Sequence, residues 1–413
     1  MTEEKQKIFQ EKVDRIAKAS RLEKPDRVPF APFTGIYPVL EYGVMPYDVM
    51  TDPRSAIPAM KEYLDEVQPD AAMRPPLPSI EYNDRLGATH MRWPGPEFGL
   101  PKHVSFQLLD TVYLEDDEYG DFLRDPAHFQ LTRIIPRRYK SLAAFSKLNF
   151  ENPTEGGSTG SIAAFADPEL KQALLTAMAA GDDAVKFRAR HGQVIQSIIE
   201  HGTPHYLNLG AVAPYDMFSD DVRGLMNTVI DMKERPEELL QALDYMTVVA
   251  VKQAKGLARA LKATKCFIPL HGGVDEFMSN EDYGKFYWPG LKALMLALIE
   301  EGVVPLVFCE GNYFSRLDYL ADVPKGKVEY MFEKVDMAEV KKKLGGVACI
   351  YGNLPNSLLI SGTVQEVEDA TKRLIDEAAD GGGFIMNCSI TLDNAKRENV
   401  LAWRDATWKY GQY

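Results

Sequence analysis

KCFIPL at 265–270, VVPLVF at 303–308, KVEYMF at 327–332, VACIY at 347–351 and GFIMN at 383–387 are short apolar runs recurring through the C-terminal part of the chain. Each has the length of one buried strand, and the stretches between them have helical patterning. Strand and helix in alternation, joined by short connections, imply parallel strands linked by right-handed crossovers. Working upstream, HYLNLG at 205–210 reads as another strand. Residues 236–263 read as a helix, with Pro236 in its first turn and Glu237 and Glu238 favoured by the positive end of the helix dipole. RVPFAPF at 27–33 reads as a short buried strand feeding a loop. With these the count suffices for an α/β fold, a (β/α)8 TIM barrel.

The edges of the chain fit that frame. Residues 5–22 carry Ile8, Phe9, Val13, Ile16 and Ala17 at helical spacing and stop at Lys24-Pro25-Asp26. This predicts an N-terminal helical cap over 1–26 that closes one end of the barrel, followed by a single barrel domain over 27–413. Gly- and Pro-rich stretches between 87 and 160 read as insertions, and NPTEGGSTGS at 152–161 as a flexible, turn-rich segment.

Composition narrows the function. With 413 residues, 45% hydrophobic and 26% charged, the chain is ordinary globular material. Its 47 Lys and Arg against 60 Asp and Glu leave a net charge of -13, which repels phosphate backbones, so no nucleic acid partner is expected. Cys266, Cys309, Cys349 and Cys388 are too few and too scattered for a disulfide framework. No stretch is apolar for long enough to span a bilayer, and the charged start lacks a signal-peptide core, so a cytoplasmic location is expected.

In a barrel of this kind chemistry sits just after the C-terminal ends of the strands. That places His271, Cys309, Glu310, Glu333, Asn353 and Cys388 in view. His271, between Leu270 and Gly272-Gly273, suits an acid, a base or a ligand, or else a loop histidine held by backbone. A carboxylate, an imidazole and a thiolate make a plausible catalytic zinc shell, although Cys309 and Cys388 also read as small buried apolar groups. Glu333 and Asp336 form a candidate acid pair, with Asp336 before Met337-Ala338-Glu339 reading better as a helix cap. His201 and His205 are spaced as helical neighbours, but Gly202 and Pro204 break that helix.

Taken in order, Arg27-Val28-Pro29, Lys343-Leu344-Gly345-Gly346, Tyr351-Gly352-Asn353-Leu354-Pro355, Gly362-Thr363 with Glu366-Val367, Gly381-Gly382-Gly383-Phe384-Ile385, Asn394 and Glu398-Asn399-Val400 resemble the uroporphyrinogen decarboxylase superfamily. The resemblance covers nearly the whole chain and is best over its C-terminal half. It implies a (β/α)8 barrel with its site at the C-terminal mouth. The tetrapyrrole decarboxylases of that family carry an Arg-Gln-Ala-Gly-Arg run after the first strand, where this chain has Pro32-Phe33-Thr34-Gly35-Ile36-Tyr37. They have an aspartate shortly after an Asp-Ala-Ala strand, where Met73-Arg74-Pro75-Pro76-Leu77 follows Asp70-Ala71-Ala72 here. They also have a histidine near the last strand, where this chain has Cys388.

The methyltransferase branch of the family binds zinc through a His-x-Cys pair after one strand and a Cys after the last. Aligned on Phe308-Cys309-Glu310, this chain has Phe308 for the histidine and Glu310 for the cysteine, while Cys388 matches the final cysteine. The resemblance therefore implies Glu310, Cys388 and His271 as the metal set, or Glu310 and His271 as acid–base groups without metal. It further implies transfer of a methyl group from a methylated small molecule, first among them a methoxylated aromatic, to Co(I) of a corrinoid. No Asp-x-His-x-x-Gly cobalamin segment occurs in the chain, so the corrinoid is expected on a partner protein. Tyr37, Tyr215 and Met217 are candidate substrate contacts, and Asn312 and Asn353 candidate polar positioners. The alternatives are a tetrapyrrole decarboxylase and a non-catalytic binder of corrinoid or tetrapyrrole.

Overall fold

The computed structural model describes all 413 residues. A short antiparallel hairpin, β1 (Met91–Arg92) and β2 (Gln107–Leu108), lies within the Gly- and Pro-rich insertion. The remaining strands are β3 (Leu209–Gly210), β4 (Lys265–Leu270), β5 (Val304–Cys309), β6 (Glu329–Phe332), β7 (Cys349–Leu354) and β8 (Phe384–Cys388), parallel and adjacent in chain order. The five apolar runs thus fall on five strands, displaced by no more than three residues at their ends.

Two extended segments complete the ring. Ala31 N donates to Met386 O and Met386 N to Pro29 O, which joins residues 28–34 to β8. Asp70 N donates to Phe30 O, Ala72 N to Pro204 O and Tyr206 N to Ala72 O, which seats residues 70–73 between the first segment and the approach to β3. Eight parallel extended segments therefore close into a barrel, as the alternation predicts. Pro29, Pro32 and Pro204 lack amide donors, which is why the first part of the wall is stitched by isolated bridges rather than continuous ladders.

The helices form where the sequence places their signals. Pro236–Leu261 starts on Pro236, and Met337–Leu344 starts on Asp336, whose side chain accepts from Ala338 N and Glu339 N. Thr363 and Glu366 form a reciprocal capping box on the helix Val364–Ala378. Gly381, Gly382 and Gly383 all have positive φ, and a Cβ on Gly382 would stand 2.6 Å from Glu23 O, so the run lets the chain pass beneath the end of the N-terminal helix. Buried Asn399 donates through Nδ2 to Leu358 O, Leu359 O and Gly362 O.

One expectation fails. Residues 152–161 are not an irregular turn: Glu155–Ala164 is a helix, capped by the Thr154 side chain on Gly157 N. The N-cap, together with packing of Ala164 and Phe165 against Leu142, Phe145 and Leu148, overrides the poor helix propensity of its three glycines.

The N-terminal helix, Glu3–Ser20, lies at the start of the strands. Ser20 Oγ donates to Glu329 Oε1, and the other oxygen of Glu329 takes Lys265 Nζ at 2.6 Å and Tyr351 OH at 2.6 Å. Arg15 and Arg27 both donate to the fully buried Asp70, at 2.7 Å each. Glu329 and Asp70, two buried carboxylates at the N-terminal pole of the barrel, thus have their hydrogen-bonding capacity taken up. No helix of the protein is long and apolar enough to cross a membrane.

Candidate functional site

β4 ends at Leu270 and β5 at Cys309, hydrogen-bonded neighbours in register, so the next residue of each, His271 and Glu310, emerge side by side at the C-terminal mouth. His271 Nε2 lies 3.8 Å from Glu310 Oε2, and both side chains are 40% exposed. On its other side the ring nitrogen Nδ1 lies 2.6 Å from Asp220 Oδ2, so Nδ1–H donates to that carboxylate. One imidazole therefore sits between two carboxylates, with Nδ1 held and Nε2 beyond hydrogen-bond reach of Glu310.

The backbone around this pair is fixed from beneath. Asp216, fully buried, accepts from His271 N at 3.0 Å, from Gly272 N at 2.9 Å and from Tyr287 OH at 2.6 Å. A Cβ on Gly272 would stand 2.6 Å from the Tyr215 ring, so that position demands glycine unless the ring shifts. At the end of the neighbouring strand Glu333 accepts from Gly311 N at 2.6 Å and so sets the turn carrying Glu310, where Gly311 has φ +99°.

The same geometry sets the charge states. Burial draws the His271 imidazole down, but the hydrogen bond to Asp220 and the charges of Asp216, Asp220 and Glu310 outweigh it and push the group up to about 9. Burial raises the Glu310 carboxyl above its ordinary value, with His271 opposing and Glu333 and Asp220 reinforcing the rise. Burial likewise lifts Asp216 to about 6. At neutral pH the site holds an imidazolium whose Nε2–H has no committed acceptor.

Asp216, Asp220 and Tyr287 did not figure among the sequence-derived candidates. A signal for the two acids exists: PYDMFSDD at 214–221 follows β3, and Asp216 and Asp220 are spaced i, i+4, which puts both on one face of a helical turn. Tyr287 is 71 residues from Asp216 in sequence, and no local pattern links them.

The other candidates lie elsewhere. Cys388 is fully buried, its Sγ donates toward Phe33 O at 3.7 Å, and burial pushes its thiol up to about 12. It does not join His271 and Glu310, and no group of three His, Cys, Asp or Glu side chains is arranged to hold a metal ion. The zinc set of Glu310, Cys388 and His271 is therefore not assembled. The reason is local: Cys388 is the last residue of β8, and its fully buried Sγ is turned to Phe33 O rather than offered to the mouth.

Asn312 and Asn353 both bond to backbone. Asn312 Oδ1 accepts from Phe314 N, and Asn353 Nδ2 donates to Glu333 O and Val335 O. Of the three candidate substrate contacts, Tyr215 lies buried behind the His271 loop, its ring 5.2 Å from that of Tyr287. Tyr37 is buried against Tyr63, and Met217 lines a separate cavity of about 270 Å³ with Ala250 and Leu257. The three do not form one pocket. Glu333 and Asp336 part company in the same way, the first holding Gly311 and the second capping its helix. His201 pairs with Asp65, while His205 is hydrogen-bonded to neither and is held by the backbone pairing of Ala72.

A search of the curated proteins finds no match to this chain. Among solved structures, a methyltransferase from Methanosarcina mazei superimposes with a TM-score of 0.61 over 96% of this chain and 98% of the other, at 17% sequence identity. Likeness at that identity speaks for a shared fold, and it agrees with the closed barrel described above. The profile of Uroporphyrinogen decarboxylase (URO-D) matches residues 191–410, from the long helix Pro168–Glu200 through β8 to the last helix. The match takes in more than half of the chain and every strand from β3 onward, and the chain belongs to the uroporphyrinogen decarboxylase family.

Proposed function

We propose that the protein is a methyltransferase that moves a methyl group from a methylated small molecule, in the first instance a methoxylated aromatic, to the Co(I) corrinoid of a partner protein. The observation that carries this reading is the His271 imidazolium, clamped by Asp220 on Nδ1 and presenting Nε2–H at an open barrel mouth beside Glu310. A methyl ether is cleaved when the methyl carbon leaves its oxygen and the electron pair stays on that oxygen. A phenolate released this way takes a proton of pKa about 10, so a positioned donor with a nearby pKa favours the departure. His271 supplies that proton from Nε2, Asp220 fixes the tautomer and ring plane, and Glu310 helps to keep the ring charged. The corrinoid supplies a strong nucleophile for the methyl carbon when its protein is docked. The half-exposed pair at the mouth leaves room for that approach, and this chain contributes the acid and the orientation.

Acid–base chemistry replaces the zinc alternative in this reading because Asp220 is committed to His271 Nδ1 and Cys388 is turned away toward Phe33 O. The methyltransferase superimposed above gives the fold precedent. The test is a Co(I) corrinoid assay on a panel of methoxyarenes, before and after chelator treatment, with Glu310→Gln alongside. Methyl–cobalt absorbance that survives the chelator and falls in Glu310→Gln supports the reading. Loss of turnover on chelation sinks the metal-free acid, and conversion of uroporphyrinogen to coproporphyrinogen in its place would reassign the protein to the decarboxylases.

A further inference from the structure

At the pole opposite the mouth, the N-terminal helix, residues 64–70, Arg27 and the last helix border an open cavity of about 770 Å³. Its walls carry Lys5, Lys12, Arg15 and Arg27, with Trp408 on one side. The one buried acid there is fully engaged, and the others lie at the solvent-exposed rim. Asp70 is held by Arg15, Arg27 and Phe30 N, Asp65 by His201, and Glu11 lies 4.0 Å from Lys7, leaving Glu4 at the exposed rim.

The donors are not matched in the same way. Lys12 Nζ has one contact, to Thr203 Oγ1 at 2.9 Å, and makes no ion pair with any carboxylate. Lys5 likewise has no ion-pair partner, and the indole N–H of Trp408 is buried without an acceptor. An ammonium has three donors and no acceptor capacity, so Lys12 retains two unfilled positions. Desolvation, together with the neighbouring Arg15 and Arg27 and against the pull of Asp70, draws Lys12 down to about 8. Two half-buried ammonium groups without ion-pair partners, beside a space large enough for a small metabolite, suit an anionic group.

We propose that this cavity binds a small molecule through an oxyanion, a phosphate or carboxylate group, held by Lys12 and Lys5. Arg15 and Arg27 contribute positive potential without direct contacts, their donors being taken by Asp26 and Asp70. The ligand's remaining body would rest on Trp408, Ile8 and Leu64. The site is independent of the methyl-transfer reading and lies at the opposite end of the barrel from His271.

The test is titration of the full-length protein with inorganic phosphate and, separately, with citrate, followed by calorimetry and by tryptophan fluorescence. A second readout is the rate at which acetic anhydride labels Lys12 at pH 8, read by peptide mass spectrometry. Binding of either probe in the range of about 1 mM or tighter, with protection of Lys12 from labelling, is the expected result. Lys12→Met should weaken that binding by about tenfold or more, as loss of a charge-assisted hydrogen bond implies, while Lys12→Arg retains it. Phosphate alone binding assigns a phosphate-bearing ligand, and citrate alone a carboxylate-bearing one. Equal binding by native protein and Lys12→Met, or labelling of Lys12 unaffected by both probes, overturns the proposal; thermal unfolding of the variants confirms that each is folded.

Discussion

Two charged clusters occupy the barrel axis, and they differ in how far each group is satisfied. At the pole, Lys265, Glu329, Tyr351 and Ser20 form a closed set, and Asp70 takes two arginines and a backbone amide. At the mouth, His271 is fixed through Nδ1 only, and Glu310 accepts no hydrogen bond from the protein. Similar residue types thus do different work. A buried charge with its partners saturated holds the fold, whereas a charge with an unfilled position, half open to solvent, is available to a substrate.

The largest effect should come from removing the mouth's proton donor. His271→Asn is expected to lower methyl transfer by about 10²–10⁴-fold, the usual share of a general acid, with a smaller loss of unfolding free energy than a pole variant shows. A variant that unfolds as readily as a pole variant would erase the contrast between the two ends. At the pole, Lys265→Met should cost about 3–5 kcal/mol in urea unfolding because it strands the buried Glu329 charge. The double variant Lys265→Met with Glu329→Leu should recover most of that loss, and a double variant no better than the single one would show that the pair is not the source.

Smaller effects sharpen the mouth itself. Turnover that needs the His271 proton should be full at neutral pH and fall as pH rises through about 9. Asp220→Asn removes one of the charges that raise that group, so the basic limb should move down by about one unit. An unmoved limb would assign the titration to another residue. The folded-state value lies above the ordinary histidine value of 6.5, so the stabilisation linked to His271 is complete below about 6.5 and disappears as pH rises through about 9. The stability difference between native protein and His271→Asn should shrink over that window. Cys388→Ala should matter least, with turnover within about twofold and a stability loss of about 1 kcal/mol, the behaviour of a buried apolar thiol.

The residues that betray the family in the sequence are mostly those that build the barrel. Thr363 and Glu366 cap a helix, Asn399 satisfies three carbonyls, Gly381–Gly383 turn the chain beneath the N-terminal helix, and Arg27 neutralises Asp70. Their signals are local, in spacing, capping and glycine placement, and so they can be read along the chain. His271 and Glu310 were legible for a related reason, since each directly follows an apolar strand. Asp216 and Asp220 were missed because β3 is only two residues long and gives a weak pointer to the turn that follows it.

The alternation of strand and helix, hence the parallel barrel, and the two residues that emerge at the ends of β4 and β5 are written along the linear chain. Those follow from hydrophobic periodicity and chain connectivity, which act over a few residues at a time. Only the tertiary structure decided that His271 meets Asp220 rather than Cys388, that Asn312 and Asn353 hold backbone, and that Lys12 lies beside Arg15 and Arg27 without a carboxylate of its own. These outcomes depend on which strand ends stand next to one another around the closed ring and on which donors burial leaves without acceptors. Both are properties of the assembled barrel, and no single segment contains them.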